Sequence, residues 1–404
     1  MSVKWIAVGL LGSTVAFAQP ASQGWPQFLG PQRNGAVDYD IGARAKLVES
    51  WRRPVPSGAS GITVAGGRAY TLGSDGTQDL LFALDAATGK ELWRVPLGDT
   101  HSDALENGPG SAPALAGDLA IAVASSCRVA AVRTSDGQIV WQRSLAEDYK
   151  SRFAARGGCA MSPAVEGNLV ILPTGASAGG VRLVALDAKS GKEAWASSTL
   201  PSSLNAGPGM ATLGGIRQVL YHHAKPPGLS GVSGVRADTG ATVWQIDSPE
   251  GMSDTLPIAV PGDRVLLQTW MNSTLFDTGA SPRAVWTMSE LSASGPPPVY
   301  RDGHLYGFGG NSGEYLKCVE LKTGQVRWSS HPYRGSVLLV GSTLVMLSES
   351  SGFLRLISAT PAGYDERARL QVLKPGARTF TPPSFADGKI FVRNLEEVVA
   401  VDIR

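Results

Sequence analysis

Side chains that could bind a metal ion are few in this chain of 404 residues, which has five histidines and three cysteines. His222 and His223 are adjacent at the end of an apolar run, and His101 lies in a polar segment upstream. A zinc site needs at least three such ligands, so His101 would have to join the pair. Successive strand residues point to opposite faces of a sheet, which makes one shared ion difficult. A place on the surface or at a channel rim is the favoured interpretation.

Two arginines in one long connection could bind an anion. The segment LAEDYKSRFAARGG, residues 145–158, contains Asp148, Tyr149, Arg152 and Arg156. A guanidinium group can hold a carboxylate or a phosphate through two parallel hydrogen bonds. The favoured alternative is a solvated loop whose arginines bond to neighbouring carbonyl groups.

An aromatic side chain in another connection could stack on a ring-shaped ligand. Trp270 and Asn272 stand in LLQTWMNSTLF, between two apolar runs. An exposed indole can stack on a sugar ring, although packing against neighbouring loops is its commoner role. Arg378 precedes a late apolar run and is expected at the same end of the molecule. These three residues are candidate contacts at a channel mouth.

The sequence contains none of the common catalytic motifs. We find no nucleophile elbow, phosphate-binding loop or Cys-x-x-Cys pair, and GGNSGEY at 309–315 joins strands without opening a helix. The formal net charge of +2 gives no indication of nucleic-acid or membrane binding. The residues alone therefore predict no catalytic site.

The elements that must position these residues repeat along the chain. An apolar alternating run ends at a charged residue, turns through a glycine, and resumes as a strand that carries a tryptophan four residues later. The words are LFALDAATGKELW, VAAVRTSDGQIVW, LVALDAKSGKEAW, SGVRADTGATVW, KCVELKTGQVRW and the looser TLFDTGASPRAVW. Large indole rings at these positions can fill the gaps between wedge-shaped units. The expected docking tryptophans are Trp51, Trp93, Trp141, Trp195, Trp244, Trp286 and Trp328.

The spacing of these tryptophans predicts the fold. Successive members are 42 to 54 residues apart, with room for four short strands in each interval. Units of this length with four strands are the blades of a β-propeller. Helical spacing is nearly absent, so the fold class is all-β. With RLQVL at 369–373 as a further outer strand we count eight four-stranded antiparallel blades, and seven if that run is a distorted connection.

The two ends of the chain are expected to complete one blade together. Residues 46–55 form an outer strand without a blade of its own, and residues 379–404 supply three strands. Pairing them closes the ring and removes two open edges. The expected organisation is an extended segment over residues 19–45 that lies on the ring, and a single propeller domain over residues 46–404.

The first 18 residues resemble a secretory signal peptide. Lys4 precedes an apolar stretch, and Ala16-Phe17-Ala18 forms a small-residue cleavage site before Gln19. The stretch is too short for a transmembrane helix. The cleavage site has no neighbouring cysteine for lipid attachment. We expect a periplasmic or secreted protein without a transmembrane anchor.

The cysteine count fits an oxidising compartment with one bridge and one thiol. Cys127 falls between the second and third strands of one blade, and Cys159 just before the first strand of the next. Both turns lie at the same end of a propeller, so a disulfide is geometrically feasible, and an unbridged pair is the alternative. Cys318 falls within a third strand and is expected to be a buried thiol.

Together with the opening WPQF-x-GP-x-RNG, the A-x-D-x-x-T-G-x-x-x-W words resemble the PQQ-like β-propeller superfamily. The resemblance covers residues 25–404. One branch of it contains cofactor-free exported propellers similar to BamB, which scaffold other proteins during outer-membrane assembly. Another contains quinoprotein dehydrogenases, which hold pyrroloquinoline quinone and calcium on the channel axis.

The resemblance favours a non-catalytic monomer that binds another envelope protein and holds no cofactor. The alternatives are a quinoprotein oxidoreductase with quinone and calcium, and a binder of carbohydrate or another small ligand at the channel mouth. The vicinal cysteine pair of many dehydrogenases is absent from this sequence. If the quinone branch applied, Glu106 and Asn107 would be the first residues to test as calcium or quinone contacts.

Overall fold

The structure is a computed structural model. It describes residues 24–101, 108–152, 158–178, 180–201, 206–225, 229–248, 255–292, 295–310, 315–376, 379 and 381–404. Strands account for almost all regular structure in this part of the chain. The only helix among the described residues, α1 (Leu145–Asp148), has four residues. No helix in the described ranges is long and apolar enough to span a bilayer.

The strands form eight blades of four antiparallel strands, as the sequence predicted. In blade 7 a short fifth strand pairs parallel with the first strand of the blade. Two strands precede the first complete blade: β1 (Ala36–Val37) and β2 (Leu47–Pro54). Blade 1 contains β3 (Thr63–Ala65), β4 (Arg68–Ser74), β5 (Gln78–Asp85) and β6 (Glu91–Asp99). Blade 2 contains β7 (Ala114–Ala116), β8 (Leu119–Val123), β9 (Arg128–Arg133) and β10 (Ile139–Ser144).

Blades 3 and 4 follow, with a small two-stranded sheet beside blade 3. That sheet pairs β11 (Ser151–Arg152) with β14 (Ala176–Ser177). Blade 3 contains β12 (Ala164–Glu166), β13 (Leu169–Pro173), β15 (Leu183–Asp187) and β16 (Glu193–Ser197). Blade 4 contains β17 (Gly209–Leu213), β18 (Ile216–Lys225), β19 (Leu229–Arg236) and β20 (Thr242–Ser248).

The remaining four blades complete the ring. Blade 5 contains β21 (Ile258–Val260), β22 (Arg264–Gln268), β23 (Ser273–Asp277) and β24 (Arg283–Met288). Blade 6 contains β25 (Val299–Arg301), β26 (His304–Gly309), β27 (Tyr315–Glu320) and β28 (Val326–Ser330). Blade 7 contains β29 (Gly335–Val340), β30 (Thr343–Ser348), β31 (Phe353–Ser358) and β32 (Glu366–Gln371). Blade 8 joins β33 (Ser384–Ala386), β34 (Lys389–Arg393) and β35 (Glu397–Ile403) to β2.

Ring closure follows the predicted pairing of the two chain ends. Strand β2 pairs antiparallel with β35, with Leu47 opposite Ile403 and Trp51 opposite Ala400. The buried guanidinium of Arg393 then joins blade 8 to blade 1, because its Nη1 donates to Thr71 Oγ1 and to the Leu72 carbonyl, both at 2.6 Å. Eight blades, not seven, is therefore the correct count. The eighth outer strand, β32, begins and ends earlier than the predicted residues 369–373.

Burial follows the layered arrangement of the blades. Third strands such as β5 are buried over most of their length, because each lies between two neighbouring sheets. Outer strands such as β6 alternate between exposed and partly buried residues. The apolar core is accordingly divided into wedges between adjacent blades, as in the cluster that joins blades 2 and 3.

The predicted tryptophans dock between blades. The indole Nε1 of Trp51 donates to the carbonyl of Ala86 in the next blade at 3.1 Å. Five other docking tryptophans make the corresponding bond, namely Trp93, Trp141, Trp195, Trp286 and Trp328. Trp244 is the exception, since its buried Nε1 has no partner among the described residues. The blade that follows Trp244 carries the looser repeat, in which Asp277 and Trp286 are nine residues apart and not eight as in the regular words.

Candidate functional site

The segment before the blades enters the central channel of the ring. Trp25 pairs with Val64 of β3, and the Pro26 carbonyl accepts a hydrogen bond of 2.8 Å from Leu115 N of β7. Further on, β1 runs parallel to β29. We call residues 25–39 the N-terminal plug. The sequence predicted an extended segment that lies on the ring. In the structure the segment lies inside the channel, and it is not extended throughout, because positive φ angles at Leu29 and Arg33 turn the chain.

Arg33 anchors the plug to the inner wall. Its Nε donates to the Pro208 carbonyl and its Nη1 to the Pro163 carbonyl, both at 2.8 Å, and its Nη2 donates to the Ser162 carbonyl at 3.3 Å. Burial lowers the pKa of Arg33 to about 9. The side chain therefore remains a cation at neutral pH, held by carbonyl oxygens alone.

The two ends of the channel differ. We call the end with the connections between blades the loop face, and the opposite end the turn face. The loop face also carries the turns between second and third strands. Cys127 and Cys159 lie on this face and form a disulfide with Cα atoms 5.1 Å apart. Cys318 is a buried thiol in β27.

His101 belongs to a hydrogen-bonded network between blades 1 and 2. Its backbone N donates to Ser125 Oγ at 2.8 Å, and both Ser125 N and Ser125 Oγ donate to Asp79 Oδ2 at 2.6 Å. Thr100 Oγ1 donates to the other carboxylate oxygen at 3.0 Å. Burial raises the pKa of Asp79. Because both oxygens of Asp79 already accept hydrogen bonds, the network fits a structural link better than a ligand site.

His222 and His223 lie in the interior, so their predicted place at a surface or rim is wrong. The exposed fraction of the side chain is 2% for His222 and 0% for His223. Strand β18 continues beyond both of them, and β19 places Gly231 opposite His223. A β-carbon on Gly231 would lie 2.5 Å from His223 Nε2, so this glycine makes room for the imidazole.

His223 lies beside a serine and an aspartate, the residue types of a serine-hydrolase triad, but the burial of the two is the reverse of that in such an enzyme. Its Nδ1 lies 3.1 Å from Ser233 Oγ, and its Nε2 lies 3.2 Å from Asp247 Oδ1. In a serine hydrolase the serine faces the substrate and the carboxylate is buried. Here Ser233 is fully buried and Asp247 is half exposed. The three residues therefore join strands and supply no accessible nucleophile.

Several predicted site residues cannot be placed. Glu106, Asn107, Arg156, Arg378 and the side chain of Arg152 lie outside the described residues. In the same connection as Arg152, the Tyr149 hydroxyl donates to Glu193 Oε2 at 2.7 Å, and Arg143 Nε lies 2.7 Å from Asp148 Oδ2. Tyr149 is thus bound to the outer strand of blade 3.

Two groups of exposed apolar and aromatic side chains lie on the loop face, one on blade 5 and one around blade 6. Trp270 and Met271 are 47% and 59% exposed in the turn between β22 and β23. Tyr315 and Tyr333 are 44% and 52% exposed at the ends of the loops around blade 6. His331 lies between these tyrosines, with ring centroids 4.9 Å from Tyr315 and 5.6 Å from Tyr333. We call these five residues the aromatic rim.

The frame under the aromatic rim is held by hydrogen bonds. Thr269 Oγ1 accepts from Asn272 N at 3.0 Å and thereby fixes the turn that carries Trp270. Gln268 donates to the Leu291 carbonyl, and Glu290 in the same connection pairs with Lys317 of β27. These bonds link the turn of blade 5 to the third strand of blade 6.

The sequence predicted Trp270, together with its neighbour Asn272, as a site residue but did not indicate the other four members of the rim. Tyr315 directly follows a Gly-rich loop, and His331 and Tyr333 occupy the connection between blades 6 and 7. Aromatic residues at the ends of such loops were the available signal. The other large exposed hydrophobic residues in the described ranges are aliphatic and lie in outer strands, namely Val48, Leu92, Ile139, Val140, Val243, Val285 and Val326.

The known proteins that this chain is similar to include quinohemoprotein dehydrogenases and BamB. A quinohemoprotein alcohol dehydrogenase, ADH-IIG of Pseudomonas putida, is 30% identical over 147 residues. The match covers 34% of this chain and only 19% of that relative. A quinohemoprotein alcohol dehydrogenase structure from Comamonas testosteroni superposes with a TM-score of 0.66 at 12% identity, covering 94% of this chain and 80% of that one.

A solved structure of BamB matches this chain over almost the whole BamB length. The crystal structure of BamB from Moraxella catarrhalis superposes with a TM-score of 0.64 at 15% identity, covering 88% of this chain and 99% of that one. At these identities both structural likenesses establish the fold alone. The family model described as outer membrane protein assembly factor BamB matches residues 48–209 and 151–330, which together are well over half of the chain. The chain therefore belongs to the family of the outer membrane protein assembly factor BamB.

Proposed function

We propose that the protein is an exported, non-catalytic scaffold that binds another envelope protein through its aromatic rim. The observation that carries this proposal is the exposure of Trp270, Met271, Tyr315 and Tyr333, 44% to 59%, on one face of adjacent blades. Aromatic residues and methionine are enriched in protein interfaces relative to the rest of a protein surface. A tryptophan or tyrosine also contributes a large contact area with few rotatable bonds.

The surroundings of the rim have the composition of an interface. Ion pairs flank its apolar residues, since Lys317 pairs with Glu290 and Arg334 Nε lies 3.1 Å from Glu349 Oε2. An apolar centre with a polar border is the usual anatomy of a protein–protein contact. The propeller presents this surface on a frame of paired strands, so little conformational entropy is lost on binding.

Three observations support an envelope location. Residues 1–18 have the charge, apolar stretch and cleavage site of a secretory signal. The Cys127–Cys159 disulfide fits an oxidising compartment. The matching family is described as an outer-membrane assembly factor. Cell fractionation followed by N-terminal sequencing tests this point, and a mature chain that begins at Gln19 is the expected result.

The proposal includes no quinone and no calcium ion. Calcium needs several oxygen ligands with negative charge. In the parts of the chain that the structure describes, no three His, Cys, Asp or Glu side chains are grouped closely enough to hold a metal ion.

A pull-down from an envelope extract tests the binding role. The double variant Trp270→Ser, Met271→Ser is compared with Val140→Ser, Val243→Ser, which removes similarly exposed apolar residues from outer strands. We expect the wild type and the outer-strand variant to retain one partner protein. The rim variant should lose it by tenfold or more, about the effect of one interface hot spot. Equal recovery with all three proteins would contradict the proposal.

The cofactor is tested separately. Purified protein is incubated with pyrroloquinoline quinone and calcium and passed through a gel-filtration column. We expect the quinone absorbance to separate from the protein. Coelution of the quinone with the protein would show that the protein binds this cofactor. The scaffold role alone would then not describe its function, even if the pull-down retained a partner protein.

A further inference from the structure

The turn face has a cavity that none of the roles described above uses. Its volume is about 460 Å³, and it lies between the N-terminal plug and the inner strands of blades 4, 5 and 6. Small-molecule sites are typically about 300–1,000 Å³. Six of its lining residues define its chemistry: Gln32, Asn34, Met210, Arg217, Asp263 and Tyr300. We propose that this cavity binds a neutral polyhydroxylated ligand, a mono- or disaccharide in its pyranose form.

The plug creates the cavity by covering only part of the inner wall. Its backbone bonds join it to β3, β7 and β29, in blades 1, 2 and 7. Arg33 points into the ring, where it bonds to carbonyl groups of blades 3 and 4. Its neighbours Gln32 and Asn34 line the cavity over β17, β21 and β25. The plug thus contributes one wall of the cavity, and the blades contribute the others.

The lining offers hydrogen-bonding groups of both kinds. Asn34 Oδ1 accepts from Ala36 N at 3.1 Å, and its amide nitrogen has no acceptor within the described ranges, so both amide hydrogens can bond to a ligand. Asp263 Oδ1 accepts from Gly214 N at 3.0 Å, and its second oxygen has no partner among the described residues. Tyr300 Oη accepts from Gly303 N at 3.0 Å and retains its own hydrogen. A hydroxyl group both donates and accepts, so mixed lining groups of this kind suit a polyol.

The charge of the lining acts against anionic ligands. Arg217 and Asp263 are its only charged members, so its formal net charge is zero. Arg217 is in addition paired, with Nη2 2.7 Å from Glu166 Oε2. The apolar part of the lining includes Met210 and Ile258, against which the C–H face of a sugar ring can pack. The Asp263 carboxylate is then the one charge of the lining without an ion-pair partner among the described residues. It repels a phosphate and cannot balance the several charges of a polyamine, so a neutral sugar fits better than either.

Met210 provides a probe that does not depend on any activity. Full-length mature protein is labelled with ¹³C at its methionine methyl groups, and the Met210 signal is assigned with Met210→Leu. Glucose, N-acetylglucosamine and cellobiose are then titrated, with citrate and putrescine as charged controls. We expect at least one sugar to shift the Met210 signal in a saturable way in the millimolar range. Citrate and putrescine should leave it unchanged.

Variants locate the binding. Asn34→Leu and Asp263→Asn should each weaken the apparent affinity about tenfold, the effect of one lost hydrogen bond. Gln32→Ala changes an exposed side chain and serves if either variant fails to fold by circular dichroism. Trp270→Ser, on the opposite face, should leave the titration unchanged. An unshifted Met210 with all three sugars, a shift with citrate or putrescine, or an unaltered affinity in folded variants would overturn the proposal.

Discussion

Gly89 of blade 1 lies directly against the indole ring of Trp51 of blade 8. A β-carbon on Gly89 would lie 2.5 Å from Cε3 of Trp51, and the φ angle of Gly89 is +71°. The same contact recurs between blades 1 and 2, where Gly137 lies against Trp93. In the word LFALDAATGKELW, the glycine therefore contacts the preceding blade, whereas the tryptophan contacts the following blade. Gly89 and Gly137 each receive the indole of the preceding blade.

The variant Gly89→Ala should therefore destabilise the ring more than its backbone conformation alone explains. Gly66→Ala is the matched control, since Gly66 has a φ of +58° and open space around its α-carbon. We expect the control to lower the free energy of unfolding by about 1 kcal/mol. Gly89→Ala should lower it by about 2–4 kcal/mol, because the clash with Trp51 is added. Urea denaturation measures both, and equal losses would show that the indole contact is loose.

Replacement of tryptophan by phenylalanine should have different effects at two buried positions. Trp51 Nε1 donates to the Ala86 carbonyl, whereas the buried Nε1 of Trp244 has no partner among the described residues. Trp51→Phe removes a hydrogen bond, and Trp244→Phe removes an unsatisfied donor. Both variants lose the same side-chain volume. The free energy of unfolding should therefore be about 1–3 kcal/mol lower for Trp51→Phe than for Trp244→Phe. Equal unfolding midpoints would contradict the docking geometry.

Loss of the Arg33 guanidinium should loosen the N-terminal plug. Arg33→Met keeps much of the apolar volume but leaves three buried carbonyl groups without their donor. We expect the free energy of unfolding to fall by about 2–3 kcal/mol. Hydrogen exchange of residues 25–39 should accelerate as well. The exposed Arg44→Met is the control and should change neither quantity, so a similar result for both variants would show that Arg33 is not an anchor.

The buried carboxyl of Asp79 should make stability depend on pH in the direction opposite to a salt-bridged acid. Burial raises the pKa of Asp79 above its ordinary value, so the folded state holds its proton to higher pH than the unfolded state. Its contribution is complete below the unfolded pKa and is lost as the pH rises through the folded pKa. The stability of the wild type relative to Asp79→Asn should therefore fall as the pH rises above the ordinary pKa of an aspartate. Denaturation at a series of pH values checks it, and a flat or rising difference would contradict the assignment.

The fold could be predicted from the sequence because its determinants are local and repeated. The Gly-x-x-x-Trp spacing specifies a turn and a docking residue in each unit, and the incomplete units at the two ends indicate ring closure. The looser repeat that ends at Trp286 also indicated a blade that departs from the regular docking pattern. In the structure it is the blade that offers Trp244 no acceptor.

The N-terminal plug could not be predicted in this way. Its conformation depends on positive φ angles at Leu29 and Arg33, which are not glycines, and on carbonyl groups more than a hundred residues away. An arginine in a polar sequence ordinarily indicates exposure, whereas Arg33 is buried by contacts that only the closed ring supplies. His222 was misplaced for a related reason, since the length of β18 depends on its pairing with β19.

Site-specific photocrosslinking tests the central claim, that binding occurs at the aromatic rim and not at the outer strands. A photoreactive phenylalanine derivative is placed at Trp270 or Tyr333, and in matched controls at Leu92 or Val140, which are 43% and 44% exposed. Irradiation of intact cells should yield an adduct with the same envelope protein from both rim positions and from neither control. Adducts from the outer-strand positions alone, or equally from all four, would contradict the account.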